Sequence, residues 1–153
     1  MFIEVKVSKL YKFLGLPRHE KWLYLNTAIW LLGVKAGLCI LPFYRLCGWL
    51  NRNDDLNGRL ADVQEILLIV QAIERISQLL APLRMNCLPQ ALVGYKLLRQ
   101  KKFDVKLKIG VMKNLGDRLV AHAWLEYQGE VILGNLQCLG QFAPFPSLRL
   151  VRS

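Results

Sequence analysis

Histidine is scarce in this chain: His19 and His122 are the only two among 153 residues. Cysteine is sparse as well, with Cys39, Cys47, Cys87 and Cys138 forming no C-x-x-C pair. None of the four has metal-ligand spacing to either histidine, so a zinc site lacks donors. A disulfide framework does not suit a Leu-rich chain of this size. Acidic residues are few, 11 Asp/Glu against 21 Lys/Arg, which leaves a net charge of +10. The N-terminal stretch "MFIEVKVSKLYKF" lacks the apolar core and small-residue cleavage site of a signal peptide, which points to a cytoplasmic protein. No repeat or low-complexity linker divides the chain. No RNP, helix-turn-helix or zinc pattern supports a nucleic-acid partner.

What is present suits one domain over residues 1–153, long enough to bury a real core. The composition is 54% hydrophobic and 21% charged, which excludes a disordered chain. The charge is uneven. Residues 1–80 carry ten Lys/Arg against seven Asp/Glu, and residues 81–153 carry eleven against four. The second half should therefore attract an anionic partner, with a solvated basic surface as the plain alternative.

Residues 1–80 read as helical. "EKWLYLNTAIWLLGVKAGLCIL" is apolar nearly all round, as a buried helix would be. Residues 22–43 could nearly span a bilayer, but Lys35 sits near their centre, at a cost of roughly 3 kcal/mol. A helix of a soluble core is the favoured reading, with peripheral membrane contact through this segment as the alternative. After Pro42, "FYRLCGWLNR" reads as a second helix, closed by the turn-rich "NRNDDLNG". A third, "ADVQEILLIVQAIERISQLL", sets Val63, Ile66, Leu67, Val70, Ile73 and Leu80 on one stripe.

From residue 81 the pattern changes. Asn86 can cap a helix running to about Arg99, with Pro89 tolerated in the first turn. Its buried face is Leu88, Ala91, Leu92, Tyr95 and Leu98. "VKLKIGVM" then alternates, with Val105, Leu107, Ile109 and Val111 on one side and Lys106 and Lys108 on the other. "KNLGDR" turns the chain into "LVAHAWLEY", and "QG" turns it again into "EVILG". The fold class is α+β: N-terminal helices, then a Cys-bearing helix packed on an antiparallel sheet.

Cys87 falls at the start of that helix, where unpaired N–H groups and the helix dipole favour a thiolate. The same N–H groups can hold an oxyanion. A histidine on the adjoining sheet can take the thiol proton and later give it to a leaving amine. That gives His122 a reason to occupy a strand. Cys39 and Cys47 lie in apolar helical runs, Cys138 lies in an irregular tail, and His19 lies in the polar "PRHEKW". Trp124, two residues along the strand, should share a face with His122 and is a candidate to shield the pair or line the substrate cleft. An ordinary core tryptophan is the competing reading.

"CLPQALVGYKLLRQKKFDVKLKIGVM" followed by "AHAWLEYQGEVILGN" resembles the transglutaminase-like cysteine proteases of lasso peptide biosynthesis, the leader peptidases called B proteins. The "CLP-x-A" helix start, the "L-K-I-G-V" strand and the "AHAW-x-E-x-x-G" strand match in order and spacing over about residues 82–135. The resemblance implies a papain-like core and removal of a leader peptide from a ribosomally made precursor, with Cys87 as nucleophile and His122 as general base. It also implies three partners: the precursor's leader region, a separate leader-recognition protein, and an ATP-dependent cyclase resembling asparagine synthetase. It implies no metal, nucleotide or organic cofactor. The alternatives are a transglutaminase-like acyltransferase using the same residues, or a basic binding module without activity.

The family's third catalytic residue is an aspartate about a dozen residues after the histidine, and here that place is Gly134. A two-residue turn at Gln128–Gly129 would pair Tyr127 with Glu130 and Leu125 with Ile132, setting Asn135 opposite His122 as an amide orienter. A three-residue turn would put Gly134 there instead. The first register is favoured, because the second leaves the histidine without a side-chain partner. Glu126 is about 13 Å along the strand and does not serve.

Overall fold

The computed structural model describes residues 17–50, 62–113 and 116–145. The N-terminal "MFIEVKVSKLYKF" and the "NRNDDLNG" turn lie outside them, as do Asn114 and Leu115 of "KNLGDR". Helix α1 spans Arg18–Ile40 and ends as the chain meets Pro42, with Leu41 extended at φ −105° and ψ 143°, because a residue before proline is driven out of the helical region. Helix α2 follows over Phe43–Leu50. Helix α3, Val63–Leu79, starts at Asp62, whose carboxylate accepts from the Gln64 N–H at 3.0 Å, satisfying one free helix donor. A single 3₁₀ turn, Ala81–Leu83, leads to helix α4, Cys87–Gln100.

Two sequence expectations about burial need correction. Helix α1 buries only Tyr24, Thr27, Leu31 and Val34. Its other side exposes Trp22, Leu25, Ile29, Leu32 and Ile40, so it is not a helix buried all round. The reason is its place at the outside of the helical layer, where it packs against α2, α3 and α4 on one side only. It remains long and apolar enough to cross a membrane by length and composition. On α3 the buried stripe is rotated. Ile66, Ile69, Val70, Ala72, Ile73 and Ile76 face the core, whereas Val63 and Leu67 are exposed. Two neighbours, α1 and α4, draw in a face wider than one stripe.

Helix α4 is the centre of the fold, between the helices and the sheet, and every residue from Ala91 to Leu98 is buried. That includes Lys96, whose ammonium donates to the Leu50 carbonyl at 2.9 Å. This carbonyl belongs to the last residue of α2, where a cation is favoured by the helix dipole.

Four strands form an antiparallel sheet in the order β3-β2-β1-β4: β1 Val105–Lys113, β2 Leu119–Tyr127, β3 Glu130–Leu133 and β4 Ala143–Pro144. The sheet with its packed helices bears out the α+β reading. Val105, Leu107, Ala123 and Leu125 join the core on the α4 side. Lys106 and Lys108 pair with Glu126 and Trp124 on the opposite face. The β2–β3 connection is a two-residue turn with Gln128 at φ 50° and Gly129 at φ 88°, the pair of left-handed conformations that a tight hairpin needs.

Candidate active site

Cys87 is the first residue of α4 and is partly exposed. Asn86 precedes it in extended conformation at the N-cap, but its side chain makes no capping hydrogen bond. The expected cap is thus correct in position and absent in chemistry. Gln90 folds back instead, donating to the Met85 carbonyl at 2.7 Å. Pro89 has no N–H, so the first-turn main-chain donors are those of Cys87 and Leu88. They sit beside the sulfur, where an oxyanion formed by thiolate attack would arise.

His122 is on β2. Its Nε2 lies 2.7 Å from the Gly134 carbonyl oxygen. A carbonyl only accepts, so Nε2 carries the hydrogen and Nδ1 is the nitrogen left with a lone pair. On one side the imidazole stacks with Trp124, ring centroids 6.2 Å apart and planes within 14°. On another it meets Phe142 at 5.5 Å.

The helix that carries Cys87 packs against the strand that carries His122. Gly94 lies over Leu125 and Leu133, so closely that a Cβ there would come within 2.7 Å of Leu125 Cδ1. Beyond the C-terminal end of α4, the Phe103 ring packs on Tyr127 at 6.3 Å. The helix therefore runs alongside β2 in the same direction. From Gly94, Cys87 is seven residues back, about 10 Å of helix. From Leu125, His122 is three residues back, about 10 Å of strand. The two residues therefore stand at similar heights along helix and strand. His122 and Trp124 alternate with Ala123 and Leu125, so their side chains leave β2 on the side away from α4. However, β3 pairs with β2 only from Leu125 to Tyr127. The edge of β2 beside His122 thus has no ladder partner there.

The register that would have set Asn135 opposite His122 does not form. Tyr127 pairs with Glu130 as expected, but Leu125 pairs with Leu133 and not with Ile132. Ile132 is an extra residue, a β-bulge, and each bulge shifts every later pairing by one. The strand ends at Leu133, Gly134 turns the chain at φ 79°, and Asn135 is exposed. Gly134 contributes a main-chain oxygen to the imidazole, a contact that side-chain reasoning could not reveal.

Trp124 does share the His122 face. It is only 4% exposed, its Nε1 donates to Glu126 at 2.9 Å, and Phe142 meets it edge-on at 6.5 Å. This makes it a wall behind the imidazole. Phe142 was invisible in the sequence because it follows an irregular segment. Gly110 was legible: a glycine inside a strand marks a close approach. It pairs with His122, and a Cβ there would meet the Trp124 ring at 3.0 Å and Phe142 Cβ at 3.1 Å. Among the other cysteines, Cys47 is buried, Cys138 is partly exposed, and Cys39 is exposed despite its apolar helix. Burial raises the Cys47 thiol from 9.0 to about 11. His19 is solvent-facing, 4.0 Å from Glu20.

A family model described as the Transglutaminase-like superfamily matches residues 28–147. The matched stretch holds α4, the whole sheet, Cys87 and His122. No curated protein and no solved structure matches the chain.

Proposed function

The chain belongs to the transglutaminase-like superfamily, whose members are generally cysteine proteases or acyltransferases, and from that premise we propose that it is a cysteine peptidase. Its substrate on this reading is a lasso peptide precursor, and its task is to remove the leader. The observation that supports the chemistry is the packing of α4 on β2, which carry a helix-start cysteine and a histidine. Cys87 stands at the start of α4, and His122 stands on β2, the strand against which α4 packs, with its Nε2 hydrogen already engaged. The narrower assignment to lasso precursors is supported by the linked "CLP-x-A", "L-K-I-G-V" and "AHAW-x-E-x-x-G" motifs, all of which fall in this region.

In the proposed reaction the Cys87 sulfur approaches His122 Nδ1, the nitrogen that the Gly134 carbonyl leaves free. The sulfur gives its proton to Nδ1 and attacks the scissile carbonyl carbon. The Cys87 and Leu88 N–H groups hold the resulting oxyanion. Collapse breaks the C–N bond, and the imidazolium returns its proton to the departing amine, the new N-terminus of the core peptide. Water then gives one proton to Nδ1, adds to the thioester and releases the leader carboxylate and the free thiol. A separate leader-recognition protein would present the precursor, and an ATP-dependent cyclase would use the freed amine.

The test is incubation with a precursor peptide and recognition protein encoded beside it, read by mass spectrometry. Free leader and core of summed mass precursor plus water support the peptidase. An amide or cross-link formed without water marks the acyltransferase. Neither product, in the presence of both partners, overturns the catalytic reading. Wild-type product from Cys87→Ala overturns the site.

A further inference from the structure

We infer that the main-chain carbonyl of Gly134 is the positioning group for His122, taking the place of a third catalytic side chain. The inference rests on the peptidase reading for its consequence in turnover, but its geometry is independent of substrate. The Nε2–O separation of 2.7 Å is at the short end for an N–H donor and a carbonyl. Because that oxygen has no proton to offer, the bond selects one neutral tautomer, with hydrogen on Nε2 and the lone pair on Nδ1. The orienter is uncharged and does not titrate, so its hold on the ring does not depend on protonation of a third group.

Three features put the carbonyl there. The bulge at Ile132 shifts the pairing by one, so Leu133 ends the ladder opposite Leu125 and Gly134 follows beside Trp124. Gly134 then adopts φ 79°, a left-handed conformation open to glycine at little cost. Finally, Gly134 rides directly on β2. An added Cβ would lie 2.8 Å from the Ala123 oxygen and 3.2 Å from Trp124 Cα. Both are main-chain atoms of the strand that carries His122, so neither can swing aside. Any side chain at 134 must lift the segment and take the carbonyl with it.

Gly129 supplies a control. It shares the left-handed geometry, at φ 88°, but a Cβ there meets nothing within 4 Å. Gly129→Ala therefore imposes similar backbone strain while leaving the Gly134 oxygen in place. The readout is the tautomer of His122 from long-range proton–nitrogen NMR at alkaline pH, where imidazole is neutral. His19→Gln removes the only other histidine and makes the assignment. We expect pure Nε2–H in the His19→Gln parent, in Gly129→Ala and in Asn135→Ala. Gly134→Ala should give mixed tautomers and lower kcat about 10- to 100-fold with KM nearly unchanged. Gly129→Ala, which carries the backbone strain without the clash, should retain kcat. An Nδ1–H parent overturns the inference, as does a mixed tautomer in Asn135→Ala, or a pure Nε2–H ring with full kcat in Gly134→Ala. Should Gly134→Ala not fold, the parent and Asn135→Ala spectra decide alone. Failure of the peptidase reading would show separately, as absence of cleavage by every variant while the tautomer result stands.

Discussion

His122 and Trp124 form a parallel stack on one face of β2, ring centroids 6.2 Å apart and planes within 14°. The indole is fixed at its far end by the 2.9 Å bond from Nε1 to Glu126, and Phe142 closes over both rings. Side chains two apart on a strand share a face, but here the burial of one determines the freedom of the other. Trp124 is a rigid backing that, with Phe142, opposes rotation of the imidazole about its Cβ–Cγ bond.

That relationship predicts a double loss in Trp124→Phe. The smaller ring leaves a gap and abandons Glu126, lowering stability by about 1–3 kcal/mol. The imidazole also gains play, so kcat should fall several-fold. Denaturant melts and steady-state cleavage measure the two. Reduced stability with unaltered turnover would make Trp124 an ordinary core residue.

The cysteines sort by environment. Cys87→Ala should reduce cleavage by about a thousandfold or more with little change in Tm, since the nucleophile disappears and a small apolar side chain remains. Cys39→Ala and Cys138→Ala should cleave normally. Iodoacetamide at neutral pH should inactivate by labelling Cys87 and should spare buried Cys47 in the folded protein. Peptide mapping reads the sites. Inactivation that follows labelling of Cys138 would move the nucleophile elsewhere.

The helix–sheet order and the packing of a Cys-bearing helix on an antiparallel sheet were legible, because each rests on local periodicity or a helix-start position. What failed did so for nonlocal reasons. The exposed stripe of α1, from Trp22 to Ile40, has the composition of a core helix, and only the number of packed neighbours tells the two apart. The hairpin turn at Gln128–Gly129 was predictable from residue type. The bulge three positions later was not, since Ile132 is as good a strand residue as any, and it displaced Asn135 from the pairing. The group that bonds His122 is a main-chain oxygen, and every residue has one. Only the glycine at 134 hinted at a close approach.

Cys47 gives a pH dependence of known sign. Its thiol is raised from 9.0 to about 11 by burial, so the folded protein keeps the proton longer than the unfolded chain. Below about pH 9 both states hold it, and the full contribution to stability is present. Between 9 and 11 only the unfolded chain releases it, and stability falls as pH rises. Cys47→Ala should have a shallower decline in unfolding free energy across this window than the parent, whatever its absolute stability. Equal slopes in the two proteins would contradict the assigned cause.

Lys106 and Lys108 lie on the His122 face, paired with Glu126 and Trp124. Replacing both with Gln should lower kcat/KM about 3- to 10-fold at low ionic strength, through slower encounter with an acidic leader or its recognition protein. The deficit should shrink towards nothing in molar salt, where charges farther apart than about 3 Å are screened. A salt-independent deficit would assign these lysines to direct contact, and no deficit would leave them as solvated surface.

On the peptidase reading, Gly94 is where the spacing of the elements that carry Cys87 and His122 can be altered without touching either residue. In an isolated helix Gly→Ala gains about 1 kcal/mol. Here the new methyl would come within 2.7 Å of Leu125 Cδ1, 2.9 Å of Leu133 Cδ2 and 3.3 Å of Ile73 Cδ1. Each is the tip of a side chain that can shift alone. All three are buried, however, and they converge from both layers, so relief for one crowds another. Overpacking of this kind costs about 1–3 kcal/mol, and it should outweigh the propensity gain by up to about 2 kcal/mol. The cheaper relaxation is for α4 to back away from β2, which withdraws Cys87 from the His122 edge. Turnover should therefore drop further than stability, with His122 still in its Nε2–H form because Gly134 and β2 have not moved. A pairing with Leu125→Ala makes room for the methyl and should restore part of the lost kcat despite costing stability of its own. If Gly94→Ala is more stable than the parent and cleaves at the parent rate, the spacing of α4 and β2 does not govern the approach of sulfur to imidazole.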